Sequence, residues 1–295
     1  MKDKETLYFA YGSNLNKADW NERTAINFDD AFEKVSNAWL PNFCLAFTRR
    51  TDSRGGGVLD VIEYPGRVAG GVLFAVKSPG AWEELDRKEG VSSRCYKRRE
   101  VNVLLPDGSC RRAITYVVVN SRDAEGKPLF YRPSKEEYLD SVREGLRAHR
   151  LPEDELDRAA KNETPVPLSS FFCYGTLRRG ECRYGCLDPL GIREERTGTI
   201  AGSIFDLGSY PGLKVMGDDS NRVVGELITL EKTDEALRAL DRIEGFAPER
   251  EGSLYLRTVT TVTLEDGENR AAWVYVYNDA CDPSARITSG DWRSR

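Results

Sequence analysis

The chain has 295 residues, 40% hydrophobic and 31% charged, with a formal net charge of −5 at pH 7. That length suits two domains with real cores, and the acidic balance argues against nucleic acid or an anionic membrane as a partner. No apolar run is long enough to span a bilayer, the charged start Met1-Lys2-Asp3-Lys4-Glu5 is not a signal peptide, and seven cysteines without a CxxC point to a reducing, cytoplasmic setting.

In chain order, Leu7 to Tyr11 reads as a short apolar strand ending at Gly12. Strands follow at Trp39–Phe47, Leu59–Tyr64, Val68–Val76, Lys97–Leu105 and Ala113–Val119, with Pro106-Asp107-Gly108 turning the last hairpin. Ser78-Pro79 opens a helix that Gly90 closes. Ser134, with Glu137 three residues on, opens another that runs to His149; Pro152 breaks it, and a charged helical stretch continues to about Asn162. Glu163-Thr164-Pro165-Val166-Pro167 reads as a linker, giving domains 1–164 and 165–295. The second half restarts with strands at Phe171–Tyr174, Thr199–Phe205, Val223–Leu230, Tyr255–Leu264 and Ala271–Tyr277. A helix from about Asp234 to Ile243 precedes Gly245, and Glu265-Asp266-Gly267 repeats the hairpin turn. The order predicts an α+β protein of two tandem domains, each a mixed β-barrel-like sheet with flanking helices.

The halves also share motifs. Tyr8-Phe9-Ala10-Tyr11-Gly12-Ser13-Asn14-Leu15 is matched by Phe171-Phe172-Cys173-Tyr174-Gly175-Thr176-Leu177. Leu85-Asp86-Arg87-Lys88-Glu89-Gly90 is matched by Leu240-Asp241-Arg242-Ile243-Glu244-Gly245. Two motifs in the same order at similar separation indicate duplication of one domain.

The single histidine, His149, reads as a surface helix residue, and the second half has none. A chemistry shared by both copies therefore needs another proton carrier. Glu89 and Glu244 each close a helix just before glycine, where the helix dipole disfavours an anion. Such a carboxyl is pushed toward a higher pKa, which suits a general acid/base near neutral pH. The Tyr-Gly-Ser and Tyr-Gly-Thr loops supply glycine for close approach and consecutive backbone N–H groups for a carboxylate or oxyanion. Ser13 or Thr176 as nucleophile lacks a histidine or lysine base. The scattered cysteines, far from His149, make a metal site improbable.

Phe9 to Leu15 with Glu89-Gly90 downstream resembles gamma-glutamylcyclotransferase, and Tyr174 to Leu177 with Glu244 resembles the gamma-glutamylamine branch of the same superfamily. The resemblance implies that Glu89 and Glu244 are the general acid/base and that Tyr11, Gly12, Ser13, Asn14 and Leu15, with Tyr174, Gly175, Thr176 and Leu177, form the substrate loops. It further implies pocket tyrosines at Tyr96, Tyr116 and Tyr138, with Tyr255 and either Tyr275 or Tyr277 in the second half. Asn14 has no counterpart beside Leu177, and the helix after the first hairpin is replaced by a short tail containing Trp292, so the two pockets should differ. The implied enzyme is of acyltransferase or lyase type and needs no metal or cofactor. It converts a small gamma-glutamyl amino acid or amine to 5-oxoproline and a free amine, and works as a monomer without nucleic acid or membrane. The alternatives are removal of a gamma-glutamyl protecting group from a biosynthetic intermediate, or a non-catalytic tandem module that holds gamma-glutamyl or acidic metabolites.

Overall fold

Each half of the chain closes a five-stranded barrel in the computed structural model, which describes residues 7–51, 55–133, 135–215, 220–248 and 252–295. By contacts the chain forms two compact units, Met1–Leu104 with Cys110–Pro167, and Leu105–Ser109 with Leu168–Arg295. In the first unit β1 (Leu7–Ala10), β2 (Phe32–Thr51), β3 (Gly56–Val76), β4 (Tyr96–Leu104) and β5 (Cys110–Val118) close in the order β1-β3-β2-β4-β5. β1 runs antiparallel to β3 and parallel to β5, so the sheet is mixed. Helices α1 (Lys17–Arg23), α2 (Phe28–Ala31), α3 (Pro79–Lys88), α4 (Glu136–Ala148) and α5 (Asp154–Ala160) flank it.

The second unit uses β6 (Ser170–Cys173), β7 (Ile192–Ala201), β10 (Arg222–Leu230), β11 (Tyr255–Leu264) and β12 (Asn269–Tyr277), closed as β10-β6-β12-β11-β7. Reading β6, β10, β7, β11 and β12 for β1, β3, β2, β4 and β5 reproduces the first barrel, with α6 (Thr233–Glu244) for α3. An extra two-stranded sheet, β8 (Ser203–Asp206) and β9 (Pro211–Lys214), belongs to the second unit.

Both barrels need a glycine beside the first strand. A Cβ on Gly71 would stand 2.2 Å from the Ala10 carbonyl oxygen, and one on Gly225 would stand 2.5 Å from that of Cys173. Each close approach lets an inward phenylalanine, Phe9 or Phe172, pass over bare backbone.

Around the first barrel Trp20, Phe28, Phe32 and Phe74 pack ring against ring at 4.7–6.5 Å, tilted or edge-on as the ring quadrupoles favour. The second core joins Phe172, Leu227, Val262 and Val274 to Trp292 of the C-terminal tail. These buried side chains each contribute about 1.5–3 kcal/mol or more, which is what holds strands of four residues in place.

Several sequence expectations change in extent. Leu59–Tyr64 and Val68–Val76 are one strand, β3, because Pro65-Gly66 forms a bulge instead of a turn. There the pairing shifts opposite Asn42 (φ 62°), whose Oδ1 accepts from Gly66 N at 3.2 Å. Trp39–Phe47 is the middle of the much longer β2. The strand expected at Thr199–Phe205 is divided by Gly202 (φ 150°) into the end of β7 and the start of β8. The elements α1, α2 and β9 were not anticipated. Ser134 lies outside the described residues, and α4 begins at Glu136. His149 caps the end of α4 and sets its ring 6.0 Å from that of Phe74, half-buried instead of on the surface, with its pKa pushed down to about 4 by burial. Among the described residues no helix is long and apolar enough to cross a membrane.

Candidate active site

β1 ends at Ala10, and the chain then turns tightly: Leu15 N donates to Gly12 O at 2.9 Å and Asn16 N to Ser13 O at 3.0 Å. Asn16 fixes this turn. Its Oδ1 caps α1 by accepting from Ala18 N and Asp19 N, and its Nδ2 donates to Ser141 O and Glu144 of α4 at 3.0 and 2.9 Å. In the second unit Arg178 N closes the equivalent turn on Gly175 O at 3.0 Å. That loop is held by ions instead of a helix: Glu226 of β10 accepts from Arg179 N at 2.7 Å and pairs with Arg178, which also pairs with Asp291 of the tail. Among the described residues, the backbone hydrogen bonds that close each turn come from the residues that follow and not from the N–H groups of the two inner residues, Ser13 and Asn14 or Thr176 and Leu177.

The helix ends bring the glutamates to these turns. Glu89 terminates α3, with Gly90 at φ 63°; Glu244 is the last residue of α6, with Gly245 at φ 65°. Asn14 Nδ2 donates to Glu89 Oε1 at 2.7 Å and to the Tyr8 hydroxyl at 2.8 Å. Leu177 stands at Asn14's place in the second loop, and burial pushes Glu244 up to about 7 against the opposing pull of Arg183.

Glu89 shares one pocket with Tyr11, Gly12, Ser13, Asn14, Tyr96, Tyr116 and Tyr138. Glu244 shares the other with Tyr174, Gly175, Thr176, Leu177, Tyr255 and Tyr275. Leu15 is the exception; it is buried behind its loop, where the bare Gly145 of α4 presses on it.

The tyrosine hydroxyls are engaged by the fold in matching pairs. Tyr11 donates to Tyr116 O and Tyr174 to Tyr275 O, each at 2.7 Å. Tyr96 donates to Leu59 O at 2.8 Å and Tyr255 to Pro211 O at 2.6 Å. Tyr116 donates to Asp86 and Tyr275 to Asp241, again each at 2.7 Å. Of the two residues open for the last position, Tyr275 makes the Tyr116 contacts, while Tyr277 meets the Tyr255 ring edge-on at 5.5 Å. Burial raises the pKa of each of these six tyrosines, so they act as neutral donors. Tyr138 accepts from Leu59 N at 3.1 Å. Its absence from the second unit fits Pro211, which occupies Leu59's place and has no N–H to give.

Two family models match the chain: gamma-glutamyl cyclotransferase, AIG2-like, over residues 171–294, and the AIG2-like family over residues 69–158. A Vibrio cholerae protein whose name assigns it provisionally to the gamma-glutamylcyclotransferases is 33% identical over 42% of this chain and 95% of its own. The chain belongs to the gamma-glutamylcyclotransferase family. The human gamma-glutamylcyclotransferase is 31% identical over 43% of this chain and 68% of its own. A solved gamma-glutamyl cyclotransferase structure aligns at 25% identity and a TM-score of 0.43, covering 55% of this chain and 89% of that one.

Other pocket residues escaped the sequence reading. Tyr8 and Leu59 line the first pocket; Arg183, Tyr210, Pro211 and Trp273 line the second. Asp86 and Asp241 had a visible signal, because both lie in the repeated hexapeptide three residues before the glutamate. Arg98 and Arg257 pair with them at 2.8 and 2.6 Å, completing the same Tyr-Asp-Arg cluster in both units.

Proposed function

We propose that both domains, 1–164 and 165–295, convert gamma-glutamyl amino acids or amines to 5-oxoproline and a free amine, with Glu89 and Glu244 as general acid/base. The observation that carries this reading is the repeated pairing of a helix-end glutamate with a turn closed without its inner N–H groups, inside a wall of neutral tyrosines. Family membership supports the reaction class.

The turn's N–H groups hold the gamma-glutamyl unit and stabilise the oxyanion. The glutamate takes a proton from the substrate's alpha-ammonium group. The freed amine attacks the gamma-carbonyl carbon, forming the lactam C–N bond. As the bond to the leaving nitrogen breaks, the glutamic acid returns that proton to it, and the second proton shed by the attacking nitrogen leaves with the released amine as its ammonium ion. The nucleophile is part of the substrate, so orientation supplies much of the rate and no enzyme nucleophile is required. A carboxyl near 7, as Glu244 has, is suited to both proton transfers at neutral pH.

The test is 5-oxoproline release, followed by mass spectrometry, from a panel of gamma-glutamyl amino acids and amines. Glu89→Gln and Glu244→Gln should each lose about 10²–10⁴ in rate on the substrates of that domain. Wild-type rates in both variants and in the double variant would sink the acid/base assignment.

A further inference from the structure

The second pocket contains one cation, Arg183, and one carboxylate, Glu244, among walls of Phe171, Ile243, Leu254 and Trp273. Arg183 is half-buried, and its backbone N donates to Thr176 O at 2.9 Å, which anchors it to the substrate loop itself. Among the described residues its guanidinium has neither an ion pair nor a hydrogen-bond partner. The neighbouring Arg178, Arg179 and Arg293 all pair with carboxylates. Arg183's field reaches Glu244 and Tyr255, opposing the rise in both their pKa values. A guanidinium against an apolar wall without a counterion is set to bind a planar anion in bidentate fashion.

One cation and one carboxylate complement the zwitterionic head of an alpha-amino acid. Taking the cyclisation proposed above as its basis, we propose that Arg183 binds the substrate's alpha-carboxylate while Glu244 receives the proton of the adjacent ammonium, so that Arg183 sets the second domain's preference for gamma-glutamyl over gamma-aminobutyryl amides. The first unit brings a comparable charge from another part of the chain. Arg49, near the end of β2, lines the cleft with Ser13, Glu89 and Tyr96. It donates to Cys95 Sγ at 3.0 Å and makes no carboxylate pair among the described residues.

The experiment uses the full chain carrying Glu89→Gln, so that turnover reports the second domain. Matched N-alkyl amides of gamma-glutamate and of gamma-aminobutyrate are compared; the latter closes to 2-pyrrolidinone by the same ring closure and lacks only the carboxylate. Without Arg183→Met, kcat/KM should favour the gamma-glutamyl amide by about tenfold to a hundredfold. Arg183→Met should collapse that ratio toward one, and Arg183→Lys should recover part of it. An unchanged ratio in Arg183→Met overturns the proposal, as does an equal loss on both substrates. If neither amide turns over, calorimetry with 5-oxoproline and 2-pyrrolidinone decides. Binding of 5-oxoproline alone, abolished in Arg183→Met, upholds the carboxylate site while the cyclisation reading falls; no binding, or binding unaffected by the substitution, overturns both.

Discussion

Asn14 Nδ2 lies 2.7 Å from Glu89 Oε1, and the second domain sets Leu177 at Asn14's place beside Glu244. An amide donor favours the charged carboxylate, whereas an apolar neighbour disfavours it. One fold thus offers the same helix-end glutamate in two electrostatic settings.

The first prediction exchanges the setting. A general base must be deprotonated in the free enzyme, so kcat/KM of the second domain should rise with pH through the Glu244 value of about 7. Leu177→Asn supplies a donor and should move this limb to lower pH by about one pH unit. The check is the pH dependence of 5-oxoproline release in the Glu89→Gln background. A limb that stays in place would show that residue 177 does not tune the base.

The Tyr-Asp-Arg clusters lead to the second prediction. Tyr275 gives its carbonyl to the loop tyrosine, Tyr174, and its hydroxyl to Asp241 on the helix that carries Glu244. It therefore ties the turn to the helix that ends in the glutamate, as Tyr116 does through Tyr11 and Asp86. Tyr275→Phe removes a hydrogen bond to a charged group and should cost about 1.5–3 kcal/mol in stability. It should also lower kcat more than it raises KM, because the misplacement falls on the reacting groups. In a double-mutant cycle with Asp241→Asn the two losses should be strongly non-additive. Additive losses would mean that the residues act separately.

The barrels were legible in the sequence to different degrees. Hairpins marked by Asp107-Gly108 and Asp266-Gly267 form where glycine at φ 86° permits the turn. Helix α3 starts at the expected cap, Ser78 Oγ accepting from Ala81 N at 3.2 Å, and ends at Gly90. The run from Gly56 to Val76 was not legible, because Pro65-Gly66 resembles a turn until Asn42 on the partner strand supplies the matching bulge. That information lies across the sheet and not along the chain. The tyrosines could be named from their context, but their hydroxyl partners are mostly main-chain carbonyls, which a sequence pattern does not display. Arg183 was missed for a related reason. A cation becomes informative only when the absence of a counterion among the described residues is visible, and the loop around it contains two other arginines, Arg178 and Arg179.

Asp60 underlies the third prediction. It is 1% exposed and accepts from Thr48 Oγ1, Val61 N and Val118 N at 2.7, 2.9 and 3.0 Å. Burial outweighs these bonds and pushes its pKa from 3.8 up to about 6. A carboxyl whose folded pKa exceeds its unfolded one binds its proton more tightly in the native state. Its stabilising contribution is complete below about pH 4 and is lost as pH rises through 6. Asp60→Asn keeps an acceptor for both backbone amides and does not ionise. It should be more stable than wild type at pH 8 by up to about 3 kcal/mol, with the difference shrinking toward pH 4. Urea titrations of both proteins at the two pH values test this. Equal pH dependence would show that Asp60 ionises in the fold at no cost.

The fourth prediction concerns how the barrels close. Gly71 faces the Ala10 carbonyl, and Gly225 faces that of Cys173, at distances no Cβ tolerates. The obstacle is backbone on the strand that leads directly into the Tyr-Gly turn, so it cannot be relieved by a rotamer change. Gly71→Ala should force β1 from β3 and cost about 1–3 kcal/mol or more, with Gly225→Ala doing the same between β6 and β10. Each should also reduce 5-oxoproline release by its own domain, because the turn that follows the strand moves with it. Gly185→Ala is the control, since its Cβ would meet nothing nearer than Asp188 Oδ2 at 3.9 Å. Thermal melts of the three variants, with domain-specific substrates for activity, should separate the first two from the third. If Gly71→Ala and Gly225→Ala melt with wild type, the close packing of the first strand on the glycine strand is not what fixes the loop.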